Sequence, residues 1–242
     1  LQEWFENLQK LFILNFINDN RWQFLLNGLA VTLRITFFAL LIGIAIGIIV
    51  AIVRSTYDKN EKNLRRGAGR FILGLFNVIC KFYLTVIRGT PVVVQLMIFY
   101  FVILVSIRNG ELIGIIAFGI NAGAYIAEIF RSGIMSIDNG QFEAGRSLGF
   151  NYIQTMRYII IPQAFKNILP TLANEFIVLL KETAVVGYVA VQDLTKAGDI
   201  IRGRTFSAFM PLIAVALIYL ALVMFFTWLV GILERRLRSS ER

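Results

Sequence analysis

The stretch EAGRSLGFNYIQTMRYIIIP, Glu143 to Pro162, is polar, yet it lies between two long apolar segments of a very hydrophobic chain. Its local chemistry predicts two short helices with a sharp corner between them. Asp138 and Gln141 form an Asp-x-x-Gln pattern in which the acidic side chain caps a helix start, and Asn151 and Gln154 repeat it as Asn-x-x-Gln. Gly149 falls between the two, where a glycine ends a helix in the left-handed conformation without a Cβ clash. Pro162 is predicted to stop the second helix. A plain connector needs a few residues, not two capped helices. The stretch therefore reads either as a surface hairpin with no partner or as a rigid knob presented to another protein.

Outward from this stretch the chain is written for lipid. Of 242 residues, 57% are hydrophobic and 16% charged, and the mean hydropathy is +0.72. Uninterrupted apolar runs of about 20 residues belong in a bilayer, which predicts an all-α integral membrane protein. Five spans are predicted: about 29–53, 71–107 with a bend at Arg88-Gly89-Thr90-Pro91, 112–134, 164–191 interrupted by Pro170, and 210–233. Residues 1–27 place Trp4, Phe5, Leu8, Leu11 and Phe12 at helical spacing, as in an amphipathic helix lying on a membrane surface. The segments 54–70 and 192–209 are polar and are predicted to be loops. Gly43-x-x-x-Gly47, and the small residues Gly114, Gly119, Ala122, Gly123 and Ala124, suit close helix packing.

Five spans put the termini on opposite sides, and charge then selects the orientation. With the tail in the cytoplasm, that side holds Arg54, Lys59, Lys62, Arg65, Arg66, Arg70, Lys81, Arg131, Arg146, Arg157, Lys166, Arg235, Arg236, Arg238 and Arg242. The other side holds Lys10, Arg21, Arg108, Lys196, Arg202 and Arg204. Fifteen against six follows the positive-inside rule. The N-terminus is then outside, and Glu143–Pro162 faces the cytoplasm. The domain layout is an N-terminal surface helix over 1–27, a transmembrane domain over 28–236 with the polar loop at 137–162, and a cytoplasmic tail over 237–242.

Several functions are excluded by composition. There is no histidine and only one cysteine, Cys80, so histidine-based acid–base or metal chemistry, an intrachain disulfide and a cysteine metal cluster are all absent. No Gly-x-x-x-x-Gly-Lys-Ser/Thr loop occurs, so no ATP-binding motif is present. The net charge of +9 is accounted for by basic residues flanking the spans, with membrane lipid rather than nucleic acid as the partner.

Glu143-Ala144-Gly145, then Gly149, then Ile159-x-Ile161-Pro162 closely resembles the Glu-Ala-Ala loop of ABC importer permeases. Three further stretches, RGTPVVVQ (Arg88–Gln95), AYIAEIFRSGI (Ala124–Ile134) and NEFIVLLKETAVVG (Asn174–Gly187), resemble the polar amino-acid branch of the histidine/glutamine type. The resemblance covers about Leu25 to Arg236. It implies the type I ABC importer permease fold in a bacterial cytoplasmic membrane. It also implies that Glu143, Ala144, Gly145, Arg146, Ser147, Leu148 and Gly149 form a coupling helix seated in a cytoplasmic ATPase dimer, which binds the ATP and Mg. Glycine at the third position, where the family pattern has alanine, leaves room for close contact. A second permease copy or a paralogue, and an extracytoplasmic amino-acid-binding protein, complete the implied assembly. The chain itself would carry no cofactor and would not be an enzyme. A self-powered secondary transporter or channel is the alternative, and the inverted repeats that would favour it are not visible in five spans.

Ionisable residues inside spans are costly and mark sites or structural pairs. Glu128, Glu175, Lys181 and Glu182 fall there. Mutual ion pairing is as good a reading as function for Glu128, Lys181 and Glu182. Glu175 is the better site candidate, because it adjoins Asn174 just after Pro170, and a carboxylate beside an amide binds an ammonium or guanidinium group. In the resembling family this part of the fourth helix lines the path. Gln95, Tyr100, Asn121 and Tyr125 are further polar candidates, for which helix packing is at least as good a reading. Glu175 leans toward a cationic amino acid (arginine, lysine or histidine), with glutamine or cystine as alternatives.

The orientation is testable by single-cysteine labelling of intact cells in a Cys80→Ala background. An impermeant maleimide should modify a cysteine at Ser207 and spare one at Ser240. The opposite pattern would reverse the orientation.

Overall fold

The computed structural model describes residues 2–60 and 68–239, and every regular element among them is helical. Ten α-helices follow in chain order: α1 Gln2–Phe12, α2 Trp22–Asn60, α3 Ala68–Gly89, α4 Val92–Ile98, α5 Gly110–Met135, α6 Asn139–Ser147, α7 Tyr152–Thr155, α8 Ile161–Glu182, α9 Leu194–Thr205 and α10 Phe209–Ser239. Four stretches, Trp22–Asp58, Ala68–Gly89, Gly110–Met135 and Phe209–Leu237, are long and apolar enough to cross a membrane. α8 has 22 residues, roughly 33 Å of helix, but it carries Lys166, Glu175, Lys181 and Glu182 and is not among the four.

The described chain divides into two compact units, each assembled from separate segments. The first comprises Leu1–Ala39, Val92–Phe118 and Ile177–Leu229. Its core joins Phe16 and Leu25 to Leu194, Ala197, Ile201 and Val215. Here α2 passes so close to the start of α9 that a Cβ on Gly28 would lie 2.6 Å from the Asp193 carbonyl oxygen. One turn later the Thr32 hydroxyl accepts the Leu194 N–H at 3.1 Å, and Thr36 meets the Thr183 hydroxyl at 3.3 Å. These bonds satisfy polar groups that apolar surroundings would otherwise leave at a cost of about 1–3 kcal/mol each. Asn15, fully buried, accepts from the Thr205 hydroxyl at 2.8 Å and donates to the Ser207 hydroxyl at 3.3 Å, which ties the chain ahead of α2 to the end of α9.

The second unit comprises Leu40–Pro91, Gly119–Phe176 and Val230–Arg242. Val50, Cys80, Leu84, Ala124 and Ala127 form one core cluster between α2, α3 and α5. The Gly43-x-x-x-Gly47 pair performs the role its spacing suggests: a Cβ on Gly47 would stand 2.6 Å from Ile126 and 3.0 Å from the Ala127 backbone nitrogen. Arg131 donates to Glu128 at 2.6 Å and reaches Asp58 at 3.4 Å, so the Glu128 carboxylate belongs to an ion network joining α5 to α2. That is the structural alternative raised from sequence.

Three local expectations are corrected. Residues 54–60 continue α2 instead of forming a loop, because buried Ser55 and paired Asp58 prolong the inward face; residues 61–67 of the same expected loop lie outside the described residues. The bend expected at Arg88–Pro91 is present: α3 ends at Gly89, the chain bends at Thr90 and α4 starts at Val92, the two helices belonging to different units. The expected polar loop at 192–209 is mostly helix: Asp193 caps α9 by accepting from the Thr195 and Lys196 N–H groups, and Leu194, Ala197, Gly198 and Ile201 supply a buried stripe at helical spacing. Burial holds the Asp193 carboxyl above the usual carboxylate range, with these bonds opposing the shift. Pro170 does not interrupt α8, which runs through it.

The glycine contacts give a graded test. Gly28→Ala and Gly47→Ala press a methyl against backbone and should each lower the melting temperature in detergent, by an overpacking cost of about 1–3 kcal/mol. Gly231→Ala meets nothing within 4 Å and should leave it unchanged. Equal effects at all three positions would remove the close-approach argument.

Candidate functional site

The polar stretch builds a corner from α6 and α7. The Asp138 side chain caps α6, accepting the Gly140 N–H at 2.6 Å. Its expected reciprocal partner Gln141 instead accepts from the Gln163 amide at 3.2 Å, so only half of that pattern is a cap. α6 ends as the glycine predicts. Gly149 has φ +79°, its N–H donates to the Arg146 carbonyl at 2.9 Å, and the Phe150 N–H donates to the Gly145 carbonyl at 3.0 Å. This double closure is the Schellman motif, which satisfies the carbonyls at a helix end. The second start is a full capping box, with Gln154 N–H to Asn151 and Asn151 N–H to Gln154, both at 2.9 Å.

Pro162 does not end this segment. It lies in the first turn of α8, after a wide turn over Met156–Ile160, so the chain from Tyr152 to Glu182 stays helical. The missing proline N–H is tolerated early in a helix, and a local π-type widening absorbs the ring's steric demand.

Burial sorts the seven coupling candidates. Glu143, Ala144, Arg146, Ser147, Leu148 and Gly149 are exposed, whereas Gly145 is buried. A Cβ on Gly145 would stand 2.7 Å from both outer atoms of Thr155. The glycine therefore serves the approach of α6 to α7 within this chain, and the room it leaves is taken up by Thr155. Phe142 anchors the corner from beneath, in a cluster with Ile134, Ile160, Ala164 and Ile168. A buried phenylalanine contributes about 1.5–3 kcal/mol.

Sequence reasoning did not single out Phe142, Thr155 or Ile153. Ile153 is 74% exposed and Leu148 70%, leaving two exposed aliphatic side chains on either side of the Gly149 turn. Their mismatch with a polar, capped segment was the available signal.

The intramembrane candidates are distributed between the units. Gln95 is buried on α4 and Tyr100 lies in the wide turn after it, against Gly110, both in the first unit. Asn121, Tyr125, Asn174 and Glu175 belong to the second. The Arg88 guanidinium sits over the Tyr125 ring at 5.5 Å, giving that tyrosine a packing role. Asn174 is exposed and donates its amide to the Pro170 carbonyl at 3.2 Å, while Glu175 is half-buried. Gln95, Asn121 and Glu175 each already have an interaction within the chain. No group of three or more metal-ligating side chains occurs among the described residues.

Comparison with known proteins bears on this geometry directly. Residues 67–239 match the family described as the binding-protein-dependent transport system inner membrane component. A putative glutamine transport system permease protein, GlnP, of Rickettsia typhi (strain ATCC VR-144 / Wilmington) is 37% identical over 217 residues, covering 88% of this chain and 93% of its own. The arginine transport system permease protein ArtQ of Bacillus subtilis (strain 168) is 36% identical over 222 residues, covering 90% and 94%. A chain from the crystal structure of an amino acid ABC transporter with histidines superposes with a TM-score of 0.79 at 38% identity, over 91% of this chain and 98% of that one. A chain of the MetNI methionine ABC transporter in an inward-facing conformation shares the fold with a TM-score of 0.73 at 20% identity, over 89% of this chain and 96% of that one. The chain thus belongs to the inner-membrane component family of binding-protein-dependent transport systems, as a multi-pass permease subunit of the ABC type.

Proposed function

We propose that this chain is the permease of an ATP-driven importer of polar amino acids, and that Glu143, Ala144, Arg146, Ser147, Leu148 and Gly149, together with Ile153, meet a cytoplasmic ATPase. The observation that carries the reading is the corner itself: two caps and a Schellman closure hold Leu148 and Ile153 exposed on an ordered element. Exposed aliphatic side chains on a pre-ordered element favour docking, because little conformational entropy is lost on binding. Gly145 acts beneath them by setting the corner's geometry.

In this reading α8 and the turn that follows it, to about Val191, form a fifth span, with the N-terminus outside and the tail in the cytoplasm. Residues 1–27 are a surface segment in contact with membrane lipid, supported by the exposure of Trp4, Phe5 and Phe12 on and at the end of α1. Residues 28–236 form the transmembrane domain, with the coupling loop at 137–162, and 237–242 the tail. A second copy or a paralogue completes the path, an external binding protein delivers the substrate, and a pair of ATPase subunits holds ATP and Mg. This chain contributes no cofactor and no bond chemistry. ATP binding shifts the balance between outward- and inward-open states through differential contact with the corner.

The relatives are named for glutamine and for arginine transport. Asn174 and Glu175 are adjacent on α8, and a carboxylate favours a cationic side chain, so arginine, lysine or histidine is preferred over glutamine or cystine. Gln95, Tyr100, Asn121 and Tyr125 supply secondary contacts.

Reconstitution with the ATPase and the external binding protein in proteoliposomes tests both parts. ATP-dependent uptake of L-arginine should fall about ten- to hundredfold in Glu175→Gln, the loss of one charge-assisted hydrogen bond, while ATPase assembly persists. Recovery of uptake on adding Lys181→Met would make Glu175 a structural ion-pair partner and remove the preference for a cationic substrate.

A further inference from the structure

The turn Thr183–Val189, α9 and the start of α10 enclose an open cleft of about 500 Å³ within the first unit. Glu175 is not among the residues that line it. Its polar wall is one face of α9. Lys196, Asp199 and Arg202 recur every three residues, with the carboxylate between the two cations. Lys196 Nζ lies 3.1 Å from Asp199 Oδ2, and Arg202 reaches Asp199 Oδ1 through its Nε at 3.0 Å and a terminal nitrogen at 2.5 Å. The opposite wall is Tyr188, 71% exposed, with Gly187 and Leu212.

Donor counting shows that the three charges do not exhaust one another. An ammonium has three N–H groups and a guanidinium five. The bonds above use one from Lys196 and two from Arg202. The wall therefore keeps donors on both sides of a carboxylate whose Oδ2 accepts only one of the bonds described. Hydrogen bonds from Arg202 and then Lys196 hold the Asp199 carboxyl below the usual carboxylate range, so it stays charged at neutral pH. The site carries two positive charges and one negative, presented from one direction.

A zwitterionic α-amino acid complements this pattern: its carboxylate takes the spare donors of Lys196 and Arg202, and its ammonium donates to Asp199. The volume falls within the range of small-molecule sites, and Tyr188 and Leu212 offer apolar surface for a side chain. The wall is tight at Gly187, where a Cβ would come within 3.2 Å of the Lys196 Cβ and 3.3 Å of Asp193 Oδ1. The floor is fixed as well, because buried Asp193 pins the start of α9 and the Thr195 hydroxyl meets the Tyr219 hydroxyl at 3.3 Å.

We propose that this cleft is a second amino-acid site of the permease, binding the zwitterionic backbone of the substrate through Lys196, Asp199 and Arg202 with little selectivity for the side chain. The proposal rests on the amino-acid reading above and adds a site to it. Carboxylate and ammonium groups could also come from side chains of a docked external protein, and the experiment separates the two sources.

The reporter is a single cysteine at position 188 (Y188C, C80A), or at 212 (L212C, C80A) as an independent position, in the permease–ATPase complex in nanodiscs without external binding protein. The rate of modification by an impermeant maleimide is measured against graded L-arginine and L-glutamine, with acetate and methylamine as half-ligands. Both amino acids should slow labelling at concentrations where the half-ligands do not. K196Q/R202Q, and separately D199N, should raise the half-protecting concentration about tenfold or more. Complex assembly and melting temperature confirm that each variant is folded, and D199N preserves shape if the double variant is unstable. Failure of both amino acids to protect, protection insensitive to the α9 substitutions, or protection that requires the external protein would overturn the proposal. Uptake by the unmodified transporter is read separately: absent uptake with intact protection would sink the transport reading and leave this site standing.

Discussion

α6 and α7 approach so closely that Gly145 has no space for a Cβ beside Thr155. That single contact sets how closely α6 lies on α7. Gly149 can turn the chain at φ +79° because no side chain opposes it, and the carbonyls of Gly145 and Arg146 are satisfied by the turn instead of by water. Asn151 then restarts the helix with both of its capping bonds made. Phe142 and Ile160 hold the assembly down. Each piece is worth about a kilocalorie or a few, and together they leave one orientation for Leu148 and Ile153. A flexible linker could carry the same side chains, but ordering it would oppose the docking proposed for them.

The same economy of small residues runs through the spans. Gly28 and Gly47 each lie against backbone, so two helices meet at a distance that any side chain would prevent. Between such contacts, hydroxyls of Thr32 and Thr36 and the hydroxyl of Tyr83, which donates to the Ile120 carbonyl, take up polar groups that lipid cannot solvate. Outward-facing positions on α3 and α10, among them Phe71, Phe82, Leu217, Phe225 and Trp228, are large and apolar, as contact with hydrocarbon requires.

The parts of this arrangement that were legible in the sequence are those governed by local or strongly periodic physics. Apolar runs gave the four long spans, and the Asp138, Asn151 and Gly149 positions gave the corner, because capping chemistry acts over three or four residues. The losses arose where tertiary contact overrides composition. α9 was read as a loop because charged residues are interspersed among its apolar ones, although Leu194, Ala197, Gly198 and Ile201 form a buried stripe. Pro162 and Pro170 were read as breaks, yet one sits in a first turn and the other inside a helix. For Gly145 the close neighbour is Thr155, ten positions away and across a corner that spacing alone does not close. For the intramembrane candidates, sequence could name polar residues but not neighbours; the stacking of Arg88 on Tyr125 is a relation of three-dimensional packing.

The most direct measurement is the equilibrium affinity of the purified ATP-binding subunit for this permease in nanodiscs, compared between the wild type and Leu148→Asp/Ile153→Asp. Both positions are exposed, so the substitutions should leave helical content and melting temperature unchanged. If the corner is the coupling element, affinity falls by about thirtyfold or more, the scale of losing a docking hot spot. Unchanged affinity in a folded variant would contradict the assignment.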